Sequence, residues 1–170
     1  MRKTRLYLEA SPIIRVDDSD SPIRQAITKE FFRIVAEQPD DYELFVSPVT
    51  IEELEDAKTE EKRLASAKFL NSIAHTKLPR NNTAENLAWT YVAEGVLTHN
   101  RIDDLRHVAY AVTSQCDYII TWNMGHLAKE RTVSRVNAVN VAENYGKSTL
   151  HPRIFDRRKN LWKMKQKTMS

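Results

Sequence analysis

A chain of 170 residues, 41% hydrophobic and 29% charged, is long enough to bury one substantial core and too short for two full domains. No apolar run reaches the roughly 18 to 20 residues that cross a bilayer, and residues 1–8 lack the apolar stretch of a secretory signal, so a soluble, cytoplasmic protein is expected. The net charge of +3 is uneven, because residues 146–170 hold eight Lys or Arg against the single acid Asp156, which leaves residues 1–145 acidic overall.

Leu6-Tyr7-Leu8 is a short apolar run that predicts a buried strand over about 4–9, followed by a turn at Ser11-Pro12. After the acidic loop Asp17 to Asp20, Ile23, Ile27, Phe31, Ile34 and Val35 recur near helical spacing, so 22–37 reads as an amphipathic helix opened by Pro22. A second strand is expected at Glu43 to Val46, with Ser47-Pro48 as cap and first position of the next helix. Helix-forming composition from Thr50 to Ser72 predicts two helices with a bend near 58–60.

Pro79 to Asn82 reads as a connection and 83–97 as a helix ending near Gly95. The next helix starts at Asp103 or Asp104, where Leu105, Val108, Ala109 and Val112 form one apolar face. Cys116, the only cysteine, excludes an intrachain disulfide and a cysteine-rich zinc site, and suits a small buried residue. Tyr118 to Thr121 predicts a third strand and Asn137 to Val141 a weaker fourth.

Strands separated by helices favour a mostly parallel sheet between helical layers, an α/β/α sandwich whose ligands gather beyond the carboxyl ends of the strands. Glu9, Glu53, Asp104 and Asn123 each stand at such a strand end or in an early helical turn. Oxygen ligands drawn from four separate segments suit a hard divalent cation, which can activate water against a phosphodiester. With only three glycines, the chain has no glycine-rich phosphate loop.

Four segments carry a resemblance to a known family: Leu6-Tyr-Leu-Glu-Ala-Ser11, Ser47-Pro-Val-Thr-Ile-Glu-Glu-Leu54, Asp104-Leu-Arg-His-Val-Ala109 and Asp117-Tyr-Ile-Ile-Thr-Trp-Asn-Met-Gly-His126. In this order they resemble PIN-domain nucleases, in particular the VapC-type toxins of toxin-antitoxin pairs. The resemblance implies a nuclease domain over 1–145, Mg²⁺ or Mn²⁺ dependence and endonucleolytic cleavage of RNA. It also implies a cognate antitoxin protein as partner and a homodimer. Glu9 stands where the family usually has Asp, and Asn123 where many relatives carry Asp.

By that resemblance Glu9, Glu53, Asp104 and Asn123 are the catalytic set, with Glu9 and Asp104 on the metal. Thr121, Ser11 and His126 have supporting roles. Each residue also has a plainer reading. Glu9 can cap the following turn, Glu53 can complete a capping box with Thr50, and Asp103 or Asp104 can be a helix N-cap. His107, one turn after Asp104, is read as a packing or hydrogen-bonding residue, and Glu52 as solvent-facing.

In the basic extension 146–170, Arg153, Arg157, Arg158, Lys159 and Lys163 are candidate RNA contacts, since basic side chains gain phosphate affinity by releasing counterions. A solvated tail is the plainer reading. The alternative to a nuclease is a PIN-like RNA-binding or scaffold protein without cleavage. A DNA-binding regulator ranks lower, because no helix-turn-helix pattern stands out.

Overall fold

The computed structural model describes residues 2–123 and 125–145, together with the backbone of 151–154. The expected α/β/α sandwich is the architecture found. In chain order the elements are β1 (Thr4–Leu8), α1 (Ala10–Arg15), α2 (Pro22–Glu37), β2 (Tyr42–Val46), α3 (Pro48–Glu55), α4 (Glu60–Ser72), β3 (Thr76–Lys77) and α5 (Asn82–Ala93). A 3₁₀ turn (His99–Arg101) then leads into α6 (Ile102–Thr113), β4 (Tyr118–Thr121), α7 (Glu130–Ala142) and β5 (His151–Ile154).

All four strand pairings are parallel, and the sheet order is β3-β2-β1-β4-β5. The chain therefore winds outward from β1 to β3, returns, and continues on the other side of β1. The crevice between β1 and β4 lies where that direction reverses, the place where open α/β sheets bind ligands.

Strand periodicity sorts the core. Side chains alternate faces along a strand, so Leu6, Leu8, Leu44, Val46 and Ile120 pack with Ile13, Phe31 and Leu70 under α1, α2 and α4. Tyr7, Phe45 and Ile119 point the other way, into a cluster with Leu87, Tyr91, Leu105, Val108 and Val136 from α5, α6 and α7. Both faces being covered is why these strands read as continuous apolar runs rather than alternating ones. Cys116 is buried, as expected.

Several elements differ from the sequence reading. Residues 137–141, expected as a strand, belong to α7. A strand would have put Val139 and Val141 on one face, whereas Val139 is 8% exposed and Val141 55%. The helical set Thr132, Val136, Val139 and Asn140 is the one that packs inward.

The turn at Ser11-Pro12 is a short helix, α1, and the helix expected over 83–97 is α5, which stops at Ala93. It ends in a Schellman motif: Gly95, at φ +69°, donates to Val92 O and Val96 to Tyr91 O. Asp103 is not an N-cap; α6 starts at Ile102 after the 3₁₀ turn, and Asp103 pairs with Arg106. β3 and β5 were not foreseen: β3 is two residues long, and β5 comes from the basic segment, where Pro152 and Arg153 obscure a strand pattern.

Candidate metal centre at the carboxyl end of β1 and β4

The alternation that sends Tyr7 toward α6 sends Glu9 the same way, because the backbone stays extended at Glu9 (φ −70°, ψ 168°). Thr121 follows Ile119 in β4 by the same rule. The two side chains meet, with Thr121 Oγ1 donating to Glu9 Oε2 over 3.1 Å. Glu9 is 8% exposed, and its charge is kept in the interior by further donors to the same oxygen: Ser11 N at 3.0 Å and the Ser11 hydroxyl. Glu9 is thus also the N-cap of α1, as the plainer reading expected. Among the described residues, none donates to its other oxygen, Oε1.

Ser11 and Thr121 each carry a second bond that ties the β4 exit to this carboxylate. Ser11 Oγ accepts from Trp122 N at 2.8 Å, and Thr121 Oγ1 accepts from Asn123 N at 2.9 Å. Hydroxyls satisfied in both directions hold their rotamers firmly.

The start of α3 is fixed by a capping box between Ser47 and Thr50, not between Thr50 and Glu53. Thr50 Oγ1 also donates to Leu8 O at 2.9 Å, locking α3 to the end of β1. Glu53, one turn on, is therefore free of capping. Its Oε2 lies 3.0 Å from His107 Nε2, and its side chain is 31% exposed. Glu52 points away and pairs with Arg80 and Arg106 instead of facing solvent alone.

On α6, Asp104 and His107 are separated by three residues and so share a face. His107 is fully buried. Its Nδ1 is 2.6 Å from Tyr7 Oη, which in turn lies 2.7 Å from Ser47 Oγ. The other ring nitrogen, Nε2, approaches Glu53 without the alignment of a hydrogen bond and is an unsatisfied buried atom. Burial pulls the imidazole pKa down, but Glu53, then Glu9 and Asp104, outweigh it and raise the pKa above the ordinary value. Burial pushes the Asp104 carboxyl up, helped by Glu53 and opposed by His126, His107 and Arg101.

Asn123 does not act as a substitute carboxylate. Its Oδ1 accepts from His126 N at 3.2 Å, and its Nδ2 donates to Asp104 Oδ1 at 3.0 Å. An Asp at this position would offer an oxygen where a donor is needed. His126 accordingly serves the loop through its backbone N–H.

Glu9, Glu53 and His107 offer ligand atoms that all lie within 4.8 Å of one another. Asp104 lies outside that triplet, held beside it by Asn123. Three atoms no more than 4.8 Å apart share a point no more than about 2.8 Å from each, against metal bonds of roughly 2.0–2.6 Å. The donor set, two carboxylates and an imidazole, suits a divalent cation.

His107 is the residue that sequence reasoning set aside. The Asp104-x-x-His107 spacing placed it on the site's face, but a histidine inside an apolar helical stripe carries no mark of where its ring nitrogens point. Of the candidate RNA contacts, Arg153 lies in β5, paired in register with Ile120; Arg157, Arg158, Lys159 and Lys163 fall outside the described residues. No helix among the described residues is long and apolar enough to cross a membrane. No family model matches the chain, and neither does any curated protein.

Proposed function

We propose that this protein is a metal-dependent endoribonuclease, and that it is the toxin of a toxin-antitoxin pair. One observation carries the nuclease reading: Glu9, Glu53 and His107, from β1, α3 and α6, converge at the crevice where the sheet reverses, with Asp104 alongside. A cation there would be held by Glu9 and Glu53, with Asp104 as the third acid. When bound, Mg²⁺ or Mn²⁺ supplies Lewis acidity toward a phosphate oxygen and a lowered pKa for a water nucleophile.

The remaining residues position. Ser11 and Thr121 fix the Glu9 carboxylate through Oε2, and Asn123 turns Asp104 into the crevice. Hydrolysis by activated water needs no serine or cysteine nucleophile, and Cys116, whose thiol burial pushes up to about 12, is unsuited to that role.

RNA as substrate is supported by the basic segment. Ile154 pairs in register with Thr121 at the end of β4, and residues 155–170 hold most of the basic side chains of that segment. The antitoxin and the homodimer rest on the motif resemblance. Co-purification with the product of an adjacent gene tests the pairing.

The test of activity is cleavage of a mixed-sequence RNA panel in Mg²⁺, Mn²⁺ or EDTA by the wild type, Glu9→Gln and Asp104→Asn. Products that require metal and vanish in both variants support the nuclease. RNA binding without products above those of the variants favours the PIN-like binding or scaffold protein instead.

A further inference from the structure

We propose that His107 is itself a metal ligand, through Nε2, in a Glu9–Glu53–His107 centre that favours first-row transition ions over Mg²⁺. The proposal deepens the metal-dependent reading above and rests on it for the presence of a cation. It goes beyond an all-carboxylate centre by placing a nitrogen in the coordination sphere.

The first observation is the surroundings of the buried nitrogen. His107 is fully buried, and its Nε2 has no aligned hydrogen bond: it lies 3.0 Å from Glu53 Oε2 and within 4.8 Å of a Glu9 carboxylate oxygen. A buried polar atom without an aligned hydrogen bond bears a desolvation cost, so native structures rarely keep one without a use. Coordination is such a use, since it engages the Nε2 lone pair.

The second is spacing. Adjacent ligands of an octahedral ion with bonds of about 2.1 Å lie about 3.0 Å apart, and the separation of Glu53 Oε2 from His107 Nε2 is 3.0 Å. The two atoms sit as neighbours on one ion would, and the missing hydrogen-bond alignment is explained when both aim at a third point.

The third is the far side of the ring. Metal-bound histidines almost always donate their other N–H to a fixed acceptor, which sets the tautomer and the orientation. Tyr7 Oη stands 2.6 Å from Nδ1 and is itself anchored 2.7 Å from Ser47 Oγ. With a cation in place of an Nε2 proton, the ring would donate from Nδ1 to Tyr7, Tyr7 would donate to Ser47, and the Nε2 lone pair would face the ion. Tyr7 is a positioning residue in this scheme, conveying the end of β1 to the ring.

Selectivity follows from the nitrogen. Mg²⁺ takes oxygen ligands and sheds water reluctantly, whereas imidazole suits Fe²⁺, Ni²⁺, Cu²⁺ and Zn²⁺, with Mn²⁺ at the weak end of the same first-row series. The carboxylates serve either class, so His107 is the group that discriminates between them.

The experiment uses the full-length protein, freed of metal and loaded with Mn²⁺, read by pulsed electron paramagnetic resonance for coupling to ¹⁴N. Wild type and His126→Gln are expected to show imidazole nitrogen coupling. His107→Gln is expected to lose it, with Mn²⁺ affinity lowered about tenfold or more and Mg²⁺ affinity little changed. Bound Mn²⁺ without nitrogen coupling, coupling that survives in His107→Gln, or no Mn²⁺ binding at all would overturn the proposal.

Should His107→Gln fail to fold, histidine-specific ¹⁵N spectra of the wild type with and without Zn²⁺ decide the matter. One Nε2 resonance must move on addition of metal, and Tyr7→Phe must shift the Nδ1 resonance of that same ring. Failure of either overturns the assignment. Nitrogen coupling without RNA cleavage would keep the ligand and refute the nuclease, and cleavage in Mg²⁺ without nitrogen coupling would do the reverse.

Discussion

Asn123 Nδ2 donates to Asp104 Oδ1 across 3.0 Å, joining the exit of β4 to the first turn of α6. The amide is what allows these residues to touch. Like charges in one site disfavour each other, and Asp104 already titrates high because of burial and the nearby Glu53.

Asn123→Asp is therefore expected to destabilise the metal-free protein by about 1–2 kcal/mol through loss of the donor and carboxylate repulsion. Urea denaturation in EDTA measures it, with Asn123→Ala as the control for loss of the bond alone. An Asp variant as stable as wild type would show that the Asp104 carboxylate does not need this donor.

Thr121→Val keeps the shape of a fully buried side chain and removes its hydroxyl. Glu9 Oε2 loses one donor and Asn123 N its acceptor. A loss of about 1–3 kcal/mol is expected, since a buried polar group left without its partner bears its full desolvation cost. Equilibrium unfolding should show the change in midpoint with an unaltered denaturant slope.

Tyr7 is buried among Ser47, Thr50 and His107, and burial, with Glu9 and Glu53 adding to it, raises its phenol pKa well above the ordinary value, so the hydroxyl stays protonated. Tyr7→Phe is expected to cost about 1–3 kcal/mol, because Ser47 Oγ and His107 Nδ1 both lose a partner. The complementary change, Ser47→Ala, also removes the α3 cap, which is worth about 1 kcal/mol. If the two losses are independent, the double variant will show their sum; a smaller total is expected for residues sharing one hydrogen-bonded chain.

The acid limb of stability should depend on Arg106. Its guanidinium contacts Glu85 at 2.8 Å, and Glu52 and Asp103 at 3.0 Å each. Arg106 holds Glu52 below the ordinary carboxylate range against the opposing effect of burial, with Arg80 assisting. Glu85 is pushed up by burial, yet Arg106, Tyr110 and Arg80 bring it down overall.

Both folded pKa values lie below their unfolded ones, so the unfolded chain takes up protons first as pH falls. The stabilisation is complete above the unfolded value near 4.5 and is lost as pH drops through the folded values. Urea midpoints measured from about pH 6 to about pH 3 should fall less steeply in Arg106→Gln than in wild type. Equal slopes would mean that solvent screens these part-buried pairs to no effect.

Much of the site was already written locally. Glu9 after an apolar strand, Glu53 after Ser47-Pro48, and Asp104 before a strongly periodic helix stand where local pattern predicts the ends of elements, and ligands gather at such ends. The same local rules misjudged 137–141, because alternating valines suit a strand until burial of Val139 without Val141 shows which period the core uses. They also left β3 and β5 unseen, since two residues in one and a proline in the other carry too little pattern.

The sequence by itself indicated a mostly parallel sheet between helical layers, because buried apolar runs separated by helical segments admit few arrangements. Only the tertiary structure decided the chemistry of the crevice. Whether Asn123 accepts or donates, whether Thr50 caps with Ser47 or Glu53, and where His107 aims Nε2 depend on atoms that are distant along the chain. Tyr7 and His107 lie 100 residues apart in sequence and 2.6 Å apart in space. Hydrogen-bond direction is set by such neighbours, and no periodicity along the chain encodes it.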